Sequence, residues 1–146
     1  MRIALAVFSL FLVSSAYAKE CKLSLAGNDQ MQYTVKELTV AADCTEVAVT
    51  LKHSGKFAKN VMGHNWVLSK TADVSALATA GMSAGPEKDY VPADDKRILA
   101  HTKLLGPGES DTVKFSKSIL TAGGDYTFFC TFPGHFGVMK GKFVVK

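Results

Sequence analysis

Apolar residues recur at every second position along most of this chain, and that period selects strands over amphipathic helices. Leu23 and Leu25 alternate with polar neighbours, and Val47, Val49 and Leu51 do the same within residues 45–53. Val113 and Phe115 alternate ahead of a turn at Gly123-Gly124. Tyr126, Phe128 and Cys130 then share one face, with Thr127 and Phe129 on the other, and Phe143 and Val145 form a last short run. Turn signals separate these runs, which predicts a half-buried antiparallel system closed as two packed sheets. One segment departs from the period. Residues 71–82 are Ala-rich, with Val74, Leu77 and Ala78 at i, i+3, i+4 spacing, which predicts one short helix inserted between strands. Residues 88–96 are charged and contain Pro92, and read as a surface loop.

Residues 1–18 stand apart. Arg2 precedes an apolar run from Ile3 to Val13, and the segment closes on Ser14-Ser15-Ala16-Tyr17-Ala18. A positive start, a short apolar stretch and a small-x-small ending are the marks of a secretory signal peptide cleaved after Ala18. The run is too short to span a bilayer, which needs about 20 residues. Residues 19–146 are then one domain. A hydrophobic content of 47% excludes a disordered chain, and the length leaves no room for a second core. The formal charge of +4 comes from dispersed lysines, which does not favour nucleic-acid binding. Three cysteines, Cys21, Cys44 and Cys130, follow the leader into an oxidising compartment. One must differ from the other two, and the sequence leaves three pairings open.

The segment around Cys130 carries the chemistry. It reads Cys130-Thr131-Phe132-Pro133-Gly134-His135-Phe136-Gly137-Val138-Met139. The Pro133-Gly134 turn brings His135 back towards Cys130, and Gly137 allows a second bend to Met139. A further nitrogen donor is available in His64, within Asn60-Val61-Met62-Gly63-His64-Asn65-Trp66, and the bare Gly63 lets its carbonyl approach a metal. One thiolate, two imidazoles and a thioether form the donor set of a blue-copper electron-transfer site. Taken singly, a strand cysteine is usually a small buried hydrophobe and a loop methionine is filler; the joint spacing is the specific signal. The competing classes are weaker. A copper enzyme needs a second site, and His53 and His101 are not clustered. A copper storage or chaperone protein carries exposed Met-rich or His-rich tracts. A Cys130–His135 nucleophile leaves His64 and Met139 without a role. Zinc competes only for loading.

On these segments, with Gly27-Asn28-Asp29-Gln30-Met31-Gln32 and Ala100-His101-Thr102-Lys103-Leu104, the chain resembles the azurins across essentially all of residues 19–146. The four-residue gap between Cys130 and His135 favours them over plastocyanin-like relatives. The resemblance implies an all-β, cupredoxin-like two-sheet Greek-key sandwich with one inserted helix. It implies a monomeric, periplasmic one-electron carrier that is not an enzyme, with one copper per chain. His64, Cys130 and His135 become the equatorial ligands, and Met139 and the Gly63 carbonyl the weak axial ones. Cys21 and Cys44 become the disulfide pair, Trp66 a buried tryptophan, and Asn65 and Phe132 supports behind the ligands. The partners implied are transient redox proteins of the cytochrome, nitrite reductase or amine dehydrogenase type. Their docking patch is expected at Met31, Met62, Phe132, Pro133, Phe136 and Val138, extended by Phe57 and Met82, with the His135 ring edge reaching the surface through it. Phe57-Ala58 and Phe136-Gly137 depart from the azurin pattern, near that patch.

Overall fold

The computed structural model describes residues 18–146, apart from Ala93. The predicted signal peptide lies outside the described residues except for Ala18. Among the described residues, nine strands form two sheets. The first takes the order β2-β1-β4-β7, with β1 Glu20–Asn28, β2 Gln32–Tyr33, β4 Glu46–His53 and β7 Ser110–Ser116. The second takes the order β3-β9-β8-β5-β6, with β3 Glu37–Val40, β5 Val67–Lys70, β6 Ala100–His101, β8 Tyr126–Phe129 and β9 Lys140–Val145.

The sheets are mixed, not antiparallel throughout. β1 pairs parallel with β4 from Glu20↔Glu46 to Gly27↔His53, and β3 pairs parallel with β9. A parallel pair needs a crossover connection. Here the chain leaves β1, visits the other sheet as β3, and returns to lie beside β1 in the same direction. Period-two alternation reports which face a side chain takes and is blind to strand direction, so the sequence could not show this.

The two inner faces close on Trp66, which is fully buried. Its ring lies about parallel to Phe128 and Phe115, with centroids 6.2 and 6.3 Å away, and meets the edge of Phe143 at 6.0 Å. Leu25, Val47, Val49, Leu51 and Val145 fill the same core, as their alternation predicts, and Leu68 joins them. The inserted helix is present as α2, Val74–Ala84, entered through a 3-10 turn at Thr71–Asp73. It covers a second cluster with Val67, Val91 and Phe129. Strands β5 and β8 are therefore buried on both faces: Leu68 and Phe128 look into the sandwich while Val67 and Phe129 look towards the helix. A further single turn, α1 at Lys59–Met62, precedes Gly63 and His64. His64 follows it in an isolated bridge to Leu105.

Cys21 and Cys44 form the disulfide, with Cα atoms 5.8 Å apart and a sequence separation of 23. It ties β1 to the turn that precedes β4. The loop-closure relation gives such a link about 3 kcal/mol. The Cys21→Ser/Cys44→Ser double variant is thus expected to unfold about 3 kcal/mol more easily in urea, with the visible spectrum of the copper protein unchanged, because the link lies at the opposite end of the sandwich.

Strand directions decide where the functional end lies. β1 ends at Asn28, β4 at His53 and β8 at Phe129, while β9 begins at Lys140. All four termini meet at one end, and Cys130 and Met139 are the residues next to two of them.

Candidate metal centre

Residues 130–139 form a closed loop. The Cys130 amide donates to the Met139 carbonyl at 3.0 Å, so the residues at the two ends of the loop face each other. Inside it, the His135 amide donates to Phe132 O at 3.0 Å, and the amides of Val138 and Met139 both donate to His135 O at 3.1 and 2.8 Å. Gly134 sits at φ +83°, a left-handed conformation that glycine adopts without strain. These bonds direct Cys130, His135 and Met139 inward together. His64 arrives from the α1–β5 connection, fixed by paired backbone bonds with Leu105 at 3.1 and 2.8 Å.

The side chains converge. One ligand atom from each of His64, Cys130 and His135 lies within 4.8 Å of the other two. That is close to the largest separation two donors can have when each is bonded at about 2.0–2.3 Å to one ion. Cys130 Sγ lies 3.6 Å from His135 Nδ1 and 4.0 Å from the Gly63 carbonyl oxygen. Cys130, His64 and Met139 are fully buried.

Two observations test whether a metal fits. The His64 Nε2–H donates to the Asn28 carbonyl at 2.8 Å, which leaves Nδ1 as the ring's lone pair. That Nδ1 is buried and has no hydrogen-bond partner among the described residues. An orphaned buried acceptor is costly unless something occupies it, and this one faces a thiol and a second imidazole. The other orphan, Trp66 Nε1, is a donor inside the hydrocarbon core. The second observation is electrostatic. Burial pulls His64 and His135 down to about 4, so both rings are neutral donors at ordinary pH. Burial also pushes the Cys130 thiol up to about 12, against a smaller pull from the Asn65 and Phe132 amides. A cation at this point displaces the thiol proton and gains a thiolate donor. The donor set fits a thiophilic metal.

The protein-family comparison matches residues 19–146 to copper binding proteins of the plastocyanin/azurin family. The chain belongs to that family. Azurin-1 of Alcaligenes xylosoxydans xylosoxydans is 56% identical over 122 residues, covering 84% of this chain and 95% of the relative. The azurin of Pseudomonas aeruginosa strain PAO1 is 50% identical over 144 residues, covering 97% of each chain. Among solved structures, the azurin Az-iso2 of Methylomonas sp. strain J superposes with a TM-score of 0.83 at 40% identity, covering 86% of this chain and 98% of its own. The fold is accordingly a cupredoxin sandwich, and family and donor set agree on one blue copper per chain.

Asn65 ties the two ligand segments together. Its Oδ1 accepts from the Thr131 amide at 2.9 Å, and its Nδ2 donates to Thr131 Oγ1 at 2.7 Å and to Asp89 O at 2.9 Å. Tyr33 OH donates to the Asn65 carbonyl at 2.5 Å. Asn65→Leu leaves the buried Thr131 amide and hydroxyl unpaired. The metal-free variant is expected to lose about 2–4 kcal/mol in urea unfolding, with a displaced visible band when loaded.

Other expected positions divide. Phe57, Val61, Met82 and Val138 are exposed at 55, 59, 47 and 56%, and Pro133 is exposed. Met31, Met62 and Phe136 are half-buried. Phe132 is only 8% exposed, packed edge-on against Tyr90 and against the His135 ring at 4.7 Å, so it backs the site more than it presents a face. His135 keeps 3% of its surface in solvent, a narrower opening than the sequence led one to expect. Phe136 is half-buried because it packs on the α2 cluster. Val61, which the sequence did not single out, is carried outward by its one-turn helix.

His53 is no ligand. Its Nε2–H donates to Met62 O at 2.7 Å and its Nδ1 accepts from the Gly55 amide at 3.1 Å, so both nitrogens are used. It is fully buried and stacks on His64, with centroids 4.5 Å apart. His101 lies on β6, and its Nδ1 contacts the Thr102 carbonyl at 3.1 Å.

Proposed function

We propose that residues 19–146, a single domain exported by the leader at 1–18, carry single electrons between proteins in the periplasm. The carrying observation is the buried cluster of His64, Cys130 and His135 on a loop fixed at both ends. Copper held there supplies a one-electron couple, and His64, Cys130 and His135 are its principal donors, with Met139 and the Gly63 carbonyl as weaker ones. The protein's contribution is to keep these groups still. Asn28 orients His64, the Cys130–Met139 backbone bond and the turn bonds to His135 O fix the loop, and Asn65 joins loop to strand. Rigid donors shift little between oxidation states, which speeds transfer. Burial keeps water from the donors, which suits a carrier more than an enzyme.

His135 is the donor next to solvent, and Phe57, Val61, Met82, Pro133 and Val138 supply an exposed apolar surface around its end of the sandwich. Such a surface marks a binding face, and the partners proposed are redox proteins such as a cytochrome, a nitrite reductase or an amine dehydrogenase, met transiently by a monomer. The test is the copper-loaded protein and its His135→Gly variant. Wild type is expected to show an intense visible copper(II)–thiolate band and fast electron self-exchange. The variant is expected to lose the exchange. A colourless oxidised wild type, or a variant exchanging at the wild-type rate, would overturn the reading.

A further inference from the structure

Gly27 stands where β1 is gripped from both sides. It pairs with Tyr33 on β2 and with His53 on β4. Its carbonyl accepts from the Ser54 amide at 2.8 Å and from Ser54 Oγ at 2.9 Å. It is not among the positive-φ glycines, so no turn requires a glycine here. What requires one is space. A Cβ at this position would stand 2.8 Å from His64 Cδ2, 3.1 Å from His64 Cγ and 2.8 Å from Met139 Cε. The carbon–carbon optimum is about 3.5–4.0 Å.

The neighbours differ in how they can yield. The Gly27 backbone is fixed by two strands and two further hydrogen bonds. The His64 ring is tied through Nε2 to Asn28 O and backed by the His53 ring. The Met139 backbone is tied at both N and O. Its thioether end, an unbranched chain with rotatable bonds, is the part that can move. We propose that Gly27 is a positioning residue for the metal centre. Its bare backbone sets how closely the Met139 thioether lies against the His64 ring, and so where the weak donor stands relative to the three principal ones. The inference rests on the reading of Met139 as that weak donor. Gly27 acts through Met139, the neighbour able to move, and the axial donor tunes the potential of such a site.

The test compares wild type, Gly27→Ala, Met139→Ala and the double variant, copper-loaded and metal-free. Gly27→Ala is expected to change the visible copper(II) spectrum and the reduction potential. In metal-free protein it should raise the unfolding equilibrium constant by about 10–100-fold, as overpacking of a filled core does. In the Met139→Ala background that increase should be several-fold smaller, because one of the two crowded partners is gone while the His64 ring remains. An equal increase in both backgrounds overturns the proposal, as does an unchanged spectrum and potential in a coloured Gly27→Ala protein. If Gly27→Ala does not fold, the double variant decides: its folding supports the proposal, and its failure refutes it by showing that His64 or the strand is what Ala displaces. A wild type without any visible band would remove this inference together with the copper reading, whereas a coloured wild type isolates the failure to Gly27.

Discussion

Cys130→Ser is expected to yield a copper(II) protein without the intense visible absorption of the wild type, and one that binds copper(II) far more weakly. The change is nearly isosteric, so the loop bonds that fix residue 130 persist. The chemistry does not. A thiolate is a soft, covalent donor suited to copper, whereas a serine hydroxyl in this fully buried position keeps its proton and offers only a neutral oxygen. Removing a supporting partner behind a ligand costs about 10–100-fold in affinity, and removing a principal donor is expected to exceed that. The measurement is a visible spectrum with a competitive chelator titration. Metal-free Cys130→Ser should fold, less stable by about 1–3 kcal/mol because a hydroxyl replaces a thiol among apolar groups. Retention of the band would show that Cys130 is not the donor.

Removing the metal is expected to leave a protein whose stability falls on both sides of neutrality. The folded chain holds His64 and His135 at about 4, below the ordinary histidine value near 6.5. Between those values the unfolded chain binds more protons, so stability is full above pH ~6.5 and is lost as pH falls towards ~4, with a limiting slope of about 1.4 kcal/mol per pH unit for each ring. On the alkaline side the sign reverses. The folded chain holds the Cys130 thiol protonated up to about 12, while the unfolded thiol ionises near 8.5–9. Stability therefore declines as pH rises beyond about 9, again by up to about 1.4 kcal/mol per unit. Copper flattens the alkaline limb, because it holds Cys130 as a thiolate, whereas the acid limb persists, because the bound imidazoles are neutral while the unfolded rings take up protons below pH ~6.5. At a free concentration 1,000 times its dissociation constant it adds about 4 kcal/mol. Urea midpoints of metal-free and loaded protein across this pH range check it. A metal-free profile that is level from about pH 4.5 to 11 would show that the three groups are not buried as described.

Much of the site could be read directly. Cys130, His135 and Met139 fall on one short loop whose Pro133-Gly134 turn is a local signal, and local signals survive without tertiary context. His64 is 66 residues away from Cys130, and only its chemistry linked it to the loop. The supports behind these donors were less legible. The Asn28 carbonyl that fixes the His64 tautomer is a backbone group with no sequence mark, and Gly27 reads as an ordinary strand glycine until the residue opposite it is known. The His53 ring behind His64 could be guessed as buried from its place at the end of an alternating strand, but not its stacking partner.

The docking patch illustrates the same limit from the other side. Phe136 follows His135 in sequence and reads as a surface apolar residue, and Phe132 reads both as a support behind the ligands and as part of the patch. The fold turns Phe132 inward against Tyr90 and rests Phe136 on the α2 cluster, while a one-turn helix carries Val61 out. Exposure on an irregular loop depends on what packs beneath it, and no period encodes that.

The sequence by itself pointed to strands at β1, β4, β7, β8 and β9, to the inward faces of β4, β7 and β9, to the inserted helix and to the four proposed side-chain donors. These follow from side-chain periodicity and donor chemistry, which are properties of short segments. Tertiary structure alone decided that β1 runs parallel to β4, that β5 and β8 are covered on both faces, and that four strand ends meet where Cys130, His135, Met139 and His64 come within reach. Those outcomes depend on how distant segments share one core, and hydrophobic burial is indifferent to chain direction and to sequence separation.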